Sequence, residues 1–278
     1  DLIQQLEGGC WVYADNQKID PEQVNVANVS TKKVIRLIPC LSSGQPEEPP
    51  PLPILIIGAG GIGALLVTHL VRAYTFSNWV SPDFDDGAKP KSVPIELTIM
   101  DGDTVELRNL PHQPYSANQK GVPKVGALVN QLQDIMDEGN GEVKLIPISE
   151  NFSEETDLSD YLLVVVAVDR DEPRKLVHDK AEHWLDLRAR GDGFVMWSSV
   201  DGKEGLEEFQ NQSRDESASC QLDGSIVGAL GNIQFGFALA AAHCVQWILQ
   251  WIRDHQNLTE NRLVPPARIY TKNQGDFE

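Results

Sequence analysis

Four glycines in one short segment give the backbone access that phosphate binding requires. Residues 58–63 read GAGGIG and lie between a short apolar run and an apolar stretch of helical character. The first glycine permits a tight turn, the second lets the backbone approach a phosphate, and the last lets the helix pack against the strand. A glycine-rich turn without a ligand is the alternative. The glycines assigned here to nucleotide binding are Gly58, Gly60, Gly61 and Gly63.

Two acids follow the next predicted strand, Ile95–Met100, in the segment Asp101-Gly102-Asp103. In dinucleotide-binding folds an acid in this place binds the ribose hydroxyls, about 20 residues after the glycines. Here the spacing is about 40 residues, because residues 77–94 form an inserted loop. The segment therefore predicts a ribose site, and solvated turn acids are the alternative because Asp-Gly favours turns.

Three further segments make a set of spaced motifs with the glycines. Residues 101–113 read DGDTVELRNLPHQ, residues 121–124 read GVPK, and residues 164–169 read VVVAVD, with Arg174 five positions later. Over about residues 54–200 the set resembles the superfamily that contains ThiF, MoeB and the ubiquitin-activating enzymes. Within that superfamily the chain is similar to the ThiF-like proteins of PRTRC plasmid systems.

The resemblance implies an adenylyltransferase that uses ATP and magnesium. Such proteins activate the C-terminal glycine carboxylate of a small ubiquitin-like or sulfur-carrier protein as an acyl-adenylate and release pyrophosphate. Negative charge gathers on the phosphates in this reaction, so cations, metal and backbone N–H groups must offset it. The resemblance implies Asp101 and Asp103 at the nucleotide, Asn109 and Lys124 at the phosphates as catalytic groups, Asp169 as the catalytic magnesium ligand, and His112, Gln113 and Arg174 beside the phosphates.

Simpler interpretations exist for three of these residues. Lys124 would be a solvated surface lysine, since most lysines are exposed. Asp169 would cap the helix that follows its strand. Arg174 would pair with Glu172 or Asp171 on the same surface.

His112 occupies the position at which the family carries arginine. Arginine is always charged and binds phosphate through two N–H groups, whereas histidine is mainly neutral at pH 7. The substitution predicts weakened or pH-sensitive catalysis. It leaves open a protein that binds nucleotide and a partner without turnover. A nicotinamide-dependent oxidoreductase is a further alternative, although no acid and base pair for hydride transfer is apparent.

The chain has 4 cysteines and none of them forms a C-x-x-C pair. We therefore expect no zinc site. Cys220 lies in a polar stretch where some relatives carry a cysteine that accepts the acyl group, and thiolate attack on an acyl-adenylate is good nucleophilic chemistry. An ordinary loop cysteine is the alternative.

Alternating strands and helices position these residues. The pattern predicts an α/β, Rossmann-like, mostly parallel sheet flanked by helices. It divides the chain into a β-rich N-terminal extension (1–44), a proline-rich linker (45–53) and a nucleotide-binding domain (54–278) with a crossover loop at about 201–223. Predicted strands after the glycine loop lie at 95–100, 143–148, 161–168, 194–200 and 265–271, and predicted helices at 64–74, 122–138, 172–187 and 224–254.

The formal net charge is −18 at pH 7, which argues against binding of nucleic acid. No run of 18 apolar residues is present and the first residues do not resemble a signal peptide, so we expect a cytoplasmic protein without a membrane span. Paired tryptophans at positions 247 and 251 indicate core or a dimer interface, and we expect a homodimer.

Overall fold

The computed structural model describes residues 10–14, 17–19, 35–39, 51–76, 94–138, 143–190, 193–201 and 235–255. Side chains are described from residue 51 onward. The described residues divide into two compact units. One contains a small three-stranded sheet and the end of the last helix from Trp247, and the other contains a six-stranded sheet and the remaining helices.

The small sheet is antiparallel. Strand β1 (Cys10–Ala14) pairs on one side with β2 (Gln17–Ile19) and on the other with β3 (Ile35–Pro39). The predicted N-terminal strands are therefore present, the second of them at Ile35–Pro39. Strand β2 is too short to produce a hydrophobic pattern of its own.

The large sheet has the order β6-β5-β4-β7-β8-β9. Its first five strands run parallel and β9 is antiparallel to β8. The prediction of a Rossmann-like, mostly parallel sheet is thus confirmed. Chain order reverses between β4 and β7, and ligands of such sheets bind at the carboxyl ends of the strands beside that reversal. The strands are β4 (Leu52–Ile57), β5 (Ile95–Met100), β6 (Val143–Ile148), β7 (Leu163–Val166), β8 (Trp184–Arg190) and β9 (Gly193–Ser198).

Four α-helices lie in the described residues from 51 onward. They are α1 (Gly61–Phe76), α2 (Lys124–Asp137), α3 (Asp171–Lys180) and α4 (Gly236–His255). Helix α1 contacts α2, and α3 contacts both β7 and β8. Strands β4 and β7 are almost wholly buried, which explains their continuous apolar sequences. These buried strands fix the ends from which the glycine loop and Asp169 emerge.

One predicted element is wrong. The helix predicted at 172–187 ends at Lys180, Ala181 is extended, and residues from Trp184 form β8. Asp186 is fully buried in that strand. The sequence did not indicate this strand because Asp186 interrupts its apolar residues. An acid can be buried there only because side chains from another element compensate its charge. The prediction for 161–168 was too long, since β7 ends at Val166.

Several predictions lie outside the described residues. They are the linker before residue 51, the crossover loop after Asp201, Cys220, the start of the helix predicted at 224–254 and the strand predicted at 265–271. Within the described parts of the chain, none of the helices is both long enough and apolar enough to cross a membrane.

Candidate functional site

The glycine loop joins β4 to α1 at the point where strand order reverses. Gly58 has a φ of 103°, and a Cβ atom there would lie 2.8 Å from the carbonyl oxygen of Ala167. A Cβ on Gly63 would overlap the carbonyl oxygen of Gly58. The loop therefore requires glycine at both positions, for a left-handed turn and for close approach of helix and strand.

The two middle glycines border the polar groups of the site. A Cβ on Gly61 would come within 3.0 Å of the carbonyl oxygen of His112, so the segment after β5 packs closely on the loop. At Gly60 the nearest atom would be Nε2 of Gln113, at 3.9 Å. Gly60 thus leaves open space between the loop backbone and the amide of Gln113.

The carboxylate of Asp101 ties the loop to the end of β5. Its Oδ2 accepts the N–H of Ala59 at 2.6 Å, and its Oδ1 accepts the N–H of Asp103 at 2.8 Å. The hydroxyl of Tyr115 donates to the carbonyl of Ala59 at 2.7 Å. Burial, and secondly the charge of Asp101, raise the pKa of Tyr115, so it remains a donor. Each carboxylate oxygen of Asp101 retains acceptor capacity beyond its N–H contact.

Lys124 is the first residue of α2 and its side chain is only 7% exposed. The surface interpretation of this lysine is therefore wrong. Its Nζ lies 2.8 Å from Oδ2 of Asp103, whose side chain is 69% exposed, and its N–H donates to the Asp103 carbonyl at 2.9 Å. A series of contacts thus connects Lys124 to the glycine loop. Lys124 pairs with Asp103, the N–H of Asp103 donates to Asp101, and Asp101 accepts the N–H of Ala59.

Asn109 is buried at the end of a short 3-10 turn, Leu107–Asn109. Its Oδ1 accepts the N–H of Glu106 at 2.9 Å. Its carbonyl accepts the N–H groups of His112 and Gln113 at 3.1 and 2.9 Å. Asn109 therefore shapes the turn that presents the next two side chains, and its contact with phosphate remains a prediction.

His112 and Gln113 are each 7% exposed. Nε2 of Gln113 lies 3.3 Å from Nε2 of His112. Among the described residues, Nδ1 of His112 and Oε1 of Gln113 have no hydrogen-bond partner. Burial, and secondly the positive charge of Lys124, lower the pKa of His112 below its ordinary value, so its imidazole is neutral at pH 7.

Asp169 is exposed and lies three residues beyond the end of β7. The residue that caps α3 is Arg170, so the capping interpretation of Asp169 is not supported. In the part of the chain that the structure describes, no three His, Cys, Asp or Glu side chains are grouped closely enough to hold a metal ion. Asp169 offers a single carboxylate at this edge.

Arg174 points into the protein. Its Nη2 donates to the carbonyls of Val168 and Leu187, the latter at 3.0 Å, and its Nη1 forms an ion pair with Asp186. Neither Glu172 nor Asp171 is the acid it pairs with, contrary to the simpler interpretation. Burial, and secondly the nearby Arg188, lower the pKa of Arg174 to about 9.

The carboxylate of Asp186 also contacts the side chains of His178 and Arg188. Nε2 of His178 lies 3.2 Å from its Oδ2, and Nη2 of Arg188 lies 3.1 Å from the same atom. We call Arg174, His178, Asp186 and Arg188 the Asp186 cluster. Burial and then the two arginine charges lower the pKa of His178 to about 4. The cluster fastens α3 to β8 and to the carbonyl that precedes Asp169.

Sequence reasoning missed Asp186 and Tyr115. The alternation of apolar residues from Trp184 could have indicated the strand that carries Asp186, whereas no pattern points to Tyr115. Among the other candidates, Cys220 lies outside the described residues. Cys244 is buried in α4, and burial raises the pKa of its thiol.

Comparisons with known proteins identify the family. The family model of the ThiF family matches residues 52–275. No curated protein sequence matches the chain significantly. Among solved structures, selenomethionine-labelled PaaA is similar with a TM-score of 0.46 and 18% identity, over 76% of this chain and 58% of that one.

Two structures of Escherichia coli MccB are also similar. MccB with ATP gives a TM-score of 0.46 and 15% identity, over 74% of this chain and 57% of that one. MccB with selenomethionine-labelled MccA gives 0.46 and 16%, over 74% and 56%. The chain thus spans less than three fifths of these structures. The family assignment rests on the family model, which covers most of the sequence: the chain belongs to the ThiF family.

Proposed function

We propose that this chain binds ATP at the glycine loop and adenylates the C-terminal glycine carboxylate of a small ubiquitin-like or sulfur-carrier protein. The observation that carries the proposal is the buried Lys124, a cation joined to the loop through Asp103 and Asp101. Burying an ammonium group is costly unless an anion compensates it. The exposed Asp103 supplies one anion, and a phosphate at the loop would supply a second.

The reaction makes one bond and breaks one. A carboxylate oxygen attacks the α-phosphorus, and the bond from that phosphorus to the bridging oxygen breaks, so pyrophosphate leaves with the bonding electrons. Lys124 opposes the charge that gathers on the phosphates, and the N-terminus of α1 directs N–H groups toward the same region. No proton transfer is needed, because the attacking carboxylate is already ionised.

The protein and the nucleotide would each supply some of the oxygen ligands of magnesium. The ion takes oxygen ligands and usually keeps several waters, with one or two carboxylates and substrate phosphates completing the set. The exposed carboxylate of Asp169 fits that role. The metal ion would therefore bind together with the phosphates of the nucleotide.

Four finer assignments belong to the same proposal. The protein acts as a homodimer, in the cytoplasm, on a partner whose tail reaches the loop. After adenylation, the thiolate of Cys220 attacks the acyl carbon of the acyl-adenylate, so a thioester forms and AMP leaves. The N-terminal extension (1–44) and the linker (45–53) precede a nucleotide-binding domain that begins at residue 54.

The neutral His112 favours a second candidate function, a nucleotide-binding partner protein without turnover. The position that holds a permanent cation in the family pattern carries no charge here at pH 7. Both candidates bind ATP, so binding is tested first and turnover afterwards.

Thermal denaturation of the full chain with Mg-ATP, AMP or NAD⁺ tests the binding. A ligand present at 100 times its Kd stabilises by about 2.7 kcal/mol, which raises the Tm by about 5–10 °C in a protein of this size. We expect that rise with ATP for the wild type and for Lys144→Met, which removes an exposed lysine, and about half of it or less for Lys124→Met. Stabilisation by NAD⁺ alone would contradict the proposal.

Pyrophosphate exchange then separates the two candidates. ATP is incubated with labelled pyrophosphate and with small proteins that end in Gly-Gly. Label entering ATP in a partner-dependent manner supports adenylation. ATP binding without exchange for any tested carboxylate supports the non-catalytic partner protein.

A further inference from the structure

We propose that His112 and Gln113 form a neutral ligand-contacting pair, in which Gln113 holds His112 as the Nδ1–H tautomer and that N–H donates to a phosphate oxygen of the nucleotide. The inference rests on the proposed nucleotide binding. It assigns a chemistry to the position at which this chain departs from the arginine of its family.

With the Gln113 amide oriented as it is in the structure, the contact between the two side chains selects one tautomer of His112. The Nε2 atoms of Gln113 and His112 are 3.3 Å apart, and an amide nitrogen can only donate. His112 Nε2 must therefore accept, and the single proton of a neutral imidazole lies on Nδ1. An imidazolium would set two donors against each other, so the same contact disfavours the charged form.

Among the described residues, no acid contributes to the electrostatics of His112. From α1 it meets the backbone of Gly61, from α4 the ring of Phe237 at a centroid distance of 6.3 Å, and from α2 the charge of Lys124. Two of these neighbours are uncharged and the third is positive. The positive neighbour and the burial both disfavour a second cation.

Two buried atoms are left for a ligand. Nδ1 of His112 is a donor and Oε1 of Gln113 an acceptor, and neither has a hydrogen-bond partner among the described residues. Leaving a buried polar group unsatisfied costs about 1–3 kcal/mol. The amide nitrogen of Gln113 is the atom nearest to a Cβ built on Gly60, and the carbonyl of His112 approaches Gly61, so the two residues lie beside the loop that would hold phosphates. The Nδ1–H then contacts phosphate oxygen, and Oε1 accepts from a ligand hydroxyl or an ordered water.

The pair changes how the site recognises phosphate. An arginine would add charge and favour the nucleotide with the most phosphates, whereas a neutral donor adds one directional contact. Of the buried side chains of Asn109, His112, Gln113 and Lys124, Lys124 carries the positive charge. We therefore expect His112 to contribute to affinity through geometry, with little dependence on its own ionisation.

Long-range ¹H–¹⁵N spectra of full-length protein labelled with [¹⁵N]histidine test the tautomer directly. His112→Gln assigns the resonance, and the exposed His69 provides the internal control. We expect His112 to be neutral and to be the Nδ1–H tautomer at pH 7. An Nε2–H tautomer, or an imidazolium at pH 7, would overturn the inference.

Addition of AMP and then Mg-ATP to uniformly ¹⁵N-labelled protein, in which the backbone amides are also observed, tests the contact. We expect the Nδ1–H resonance to shift on binding while the imidazole stays neutral. If glycine-loop amides respond and Nδ1–H does not, the pair is refuted but nucleotide binding stands. If no resonance of the protein responds to either nucleotide, the proposed function itself fails, whatever the tautomer of the free protein.

Two variants separate a neutral donor from a charge. Asparagine places an amide N–H close to the position of imidazole Nδ1–H, whereas leucine removes the donor. We expect His112→Leu to weaken AMP binding about tenfold or more, and His112→Asn to recover most of that loss. His69→Gln should leave AMP affinity within about twofold. Equal losses in His112→Leu and His112→Asn would contradict a neutral hydrogen bond.

Discussion

Two groups of buried polar side chains near the glycine loop differ in how their hydrogen-bonding groups are used. In the Asp186 cluster, the acid is surrounded by Arg174, His178 and Arg188, and Arg174 also donates to two carbonyls. On the other side of the loop, His112 and Gln113 each keep a buried atom without a partner among the described residues. The buried nitrogens of the first group lie against the carboxylate of Asp186, whereas Nδ1 of His112 and Oε1 of Gln113 have neither an ion-pair partner nor a hydrogen-bond partner among the described residues.

The difference teaches that residue type and spacing do not separate a ligand site from an internal brace. Lys124 and Arg174 both match the spacing that predicts phosphate contact. The structure gives Lys124 one exposed acid and gives Arg174 a fully buried acid and two carbonyls. Buried polar groups that lack protein partners reduce stability, so their retention points to a ligand.

Removal of the central acid should have the largest effect. In Asp186→Asn the buried arginines lose their neutralising charge, and breaking a buried ion pair costs about 3–5 kcal/mol. Urea denaturation measures the change in the free energy of unfolding. Glu96→Gln is the control, since its partner Lys144 is exposed and such surface pairs contribute about 0–1 kcal/mol. Equal losses in the two variants would mean that the Asp186 cluster does not brace the fold.

Acid should weaken the same cluster through His178. Its pKa is about 4 in the folded protein and about 6.5 when unfolded, so the unfolded chain takes up the proton first as pH falls. Stability contributed by the neutral imidazole is complete above pH 6.5 and declines toward pH 4, by about 3 kcal/mol in total. Urea denaturation between pH 7.5 and 4.5 measures the slope.

The control for that slope is His178→Gln. Glutamine cannot be protonated, so this variant should lose about that much of the pH dependence, whatever its stability at pH 7. His69→Gln, at an exposed position, should retain the wild-type slope. A slope unchanged in His178→Gln would assign the acid sensitivity to other groups.

Substitution of Arg174 should separate stability from binding. In Arg174→Lys the guanidinium contacts with Val168, Leu187 and Asp186 cannot all be replaced, because lysine lacks the planar fork. We expect the free energy of unfolding to fall by about 2 kcal/mol. ATP affinity of the folded protein, measured by calorimetry below the unfolding transition, should change less than about threefold.

Lys124→Met should show the reverse of Arg174→Lys: little change in stability and a large loss of ATP affinity. The acid that remains, Asp103, has a side chain that is 69% exposed and stays hydrated, so the free energy of unfolding should change by only about 0–1 kcal/mol. ATP affinity should nevertheless fall about tenfold or more, because a hydrogen bond to a charged group is lost. If Arg174→Lys weakens ATP as strongly as Lys124→Met, Arg174 reaches the phosphates after all.

The sequence predicts the fold well where a mostly apolar segment is bounded by turns. Strands β5 and β6 have the predicted bounds because each is mostly apolar and ends at a polar or acidic turn. It fails at β8, where Asp186 and Arg188 break the apolar pattern. The charge of Asp186 is compensated by Arg174 of α3, and that of Arg188 by Asp186 and by Asp171 of α3. A local sequence pattern contains no information on such contacts between elements.

For the candidate site, the sequence predicts position but not partners. Gly58 and Gly63 are identifiable because only glycine tolerates their geometry. The burial of Lys124 and the inward direction of Arg174 depend on contacts across the fold. The contact between His112 and Gln113 follows from a 3-10 turn that no hydrophobic period announces.

Gln113→Leu should give the smallest effect on stability and the sharpest contrast with the Asp186 cluster. Leucine has a volume close to that of glutamine and removes a buried Oε1 that has no partner among the described residues, at the expense of one long contact to His112. We therefore expect the free energy of unfolding to stay unchanged or rise by up to about 1 kcal/mol. Nucleotide affinity should fall at the same time, because the accepting contact is lost and His112 is free to change tautomer. A stabilised protein that binds ATP less well would show that these two side chains are kept for a ligand, whereas a clear loss of stability would place Gln113 with Asp186 among the internal braces.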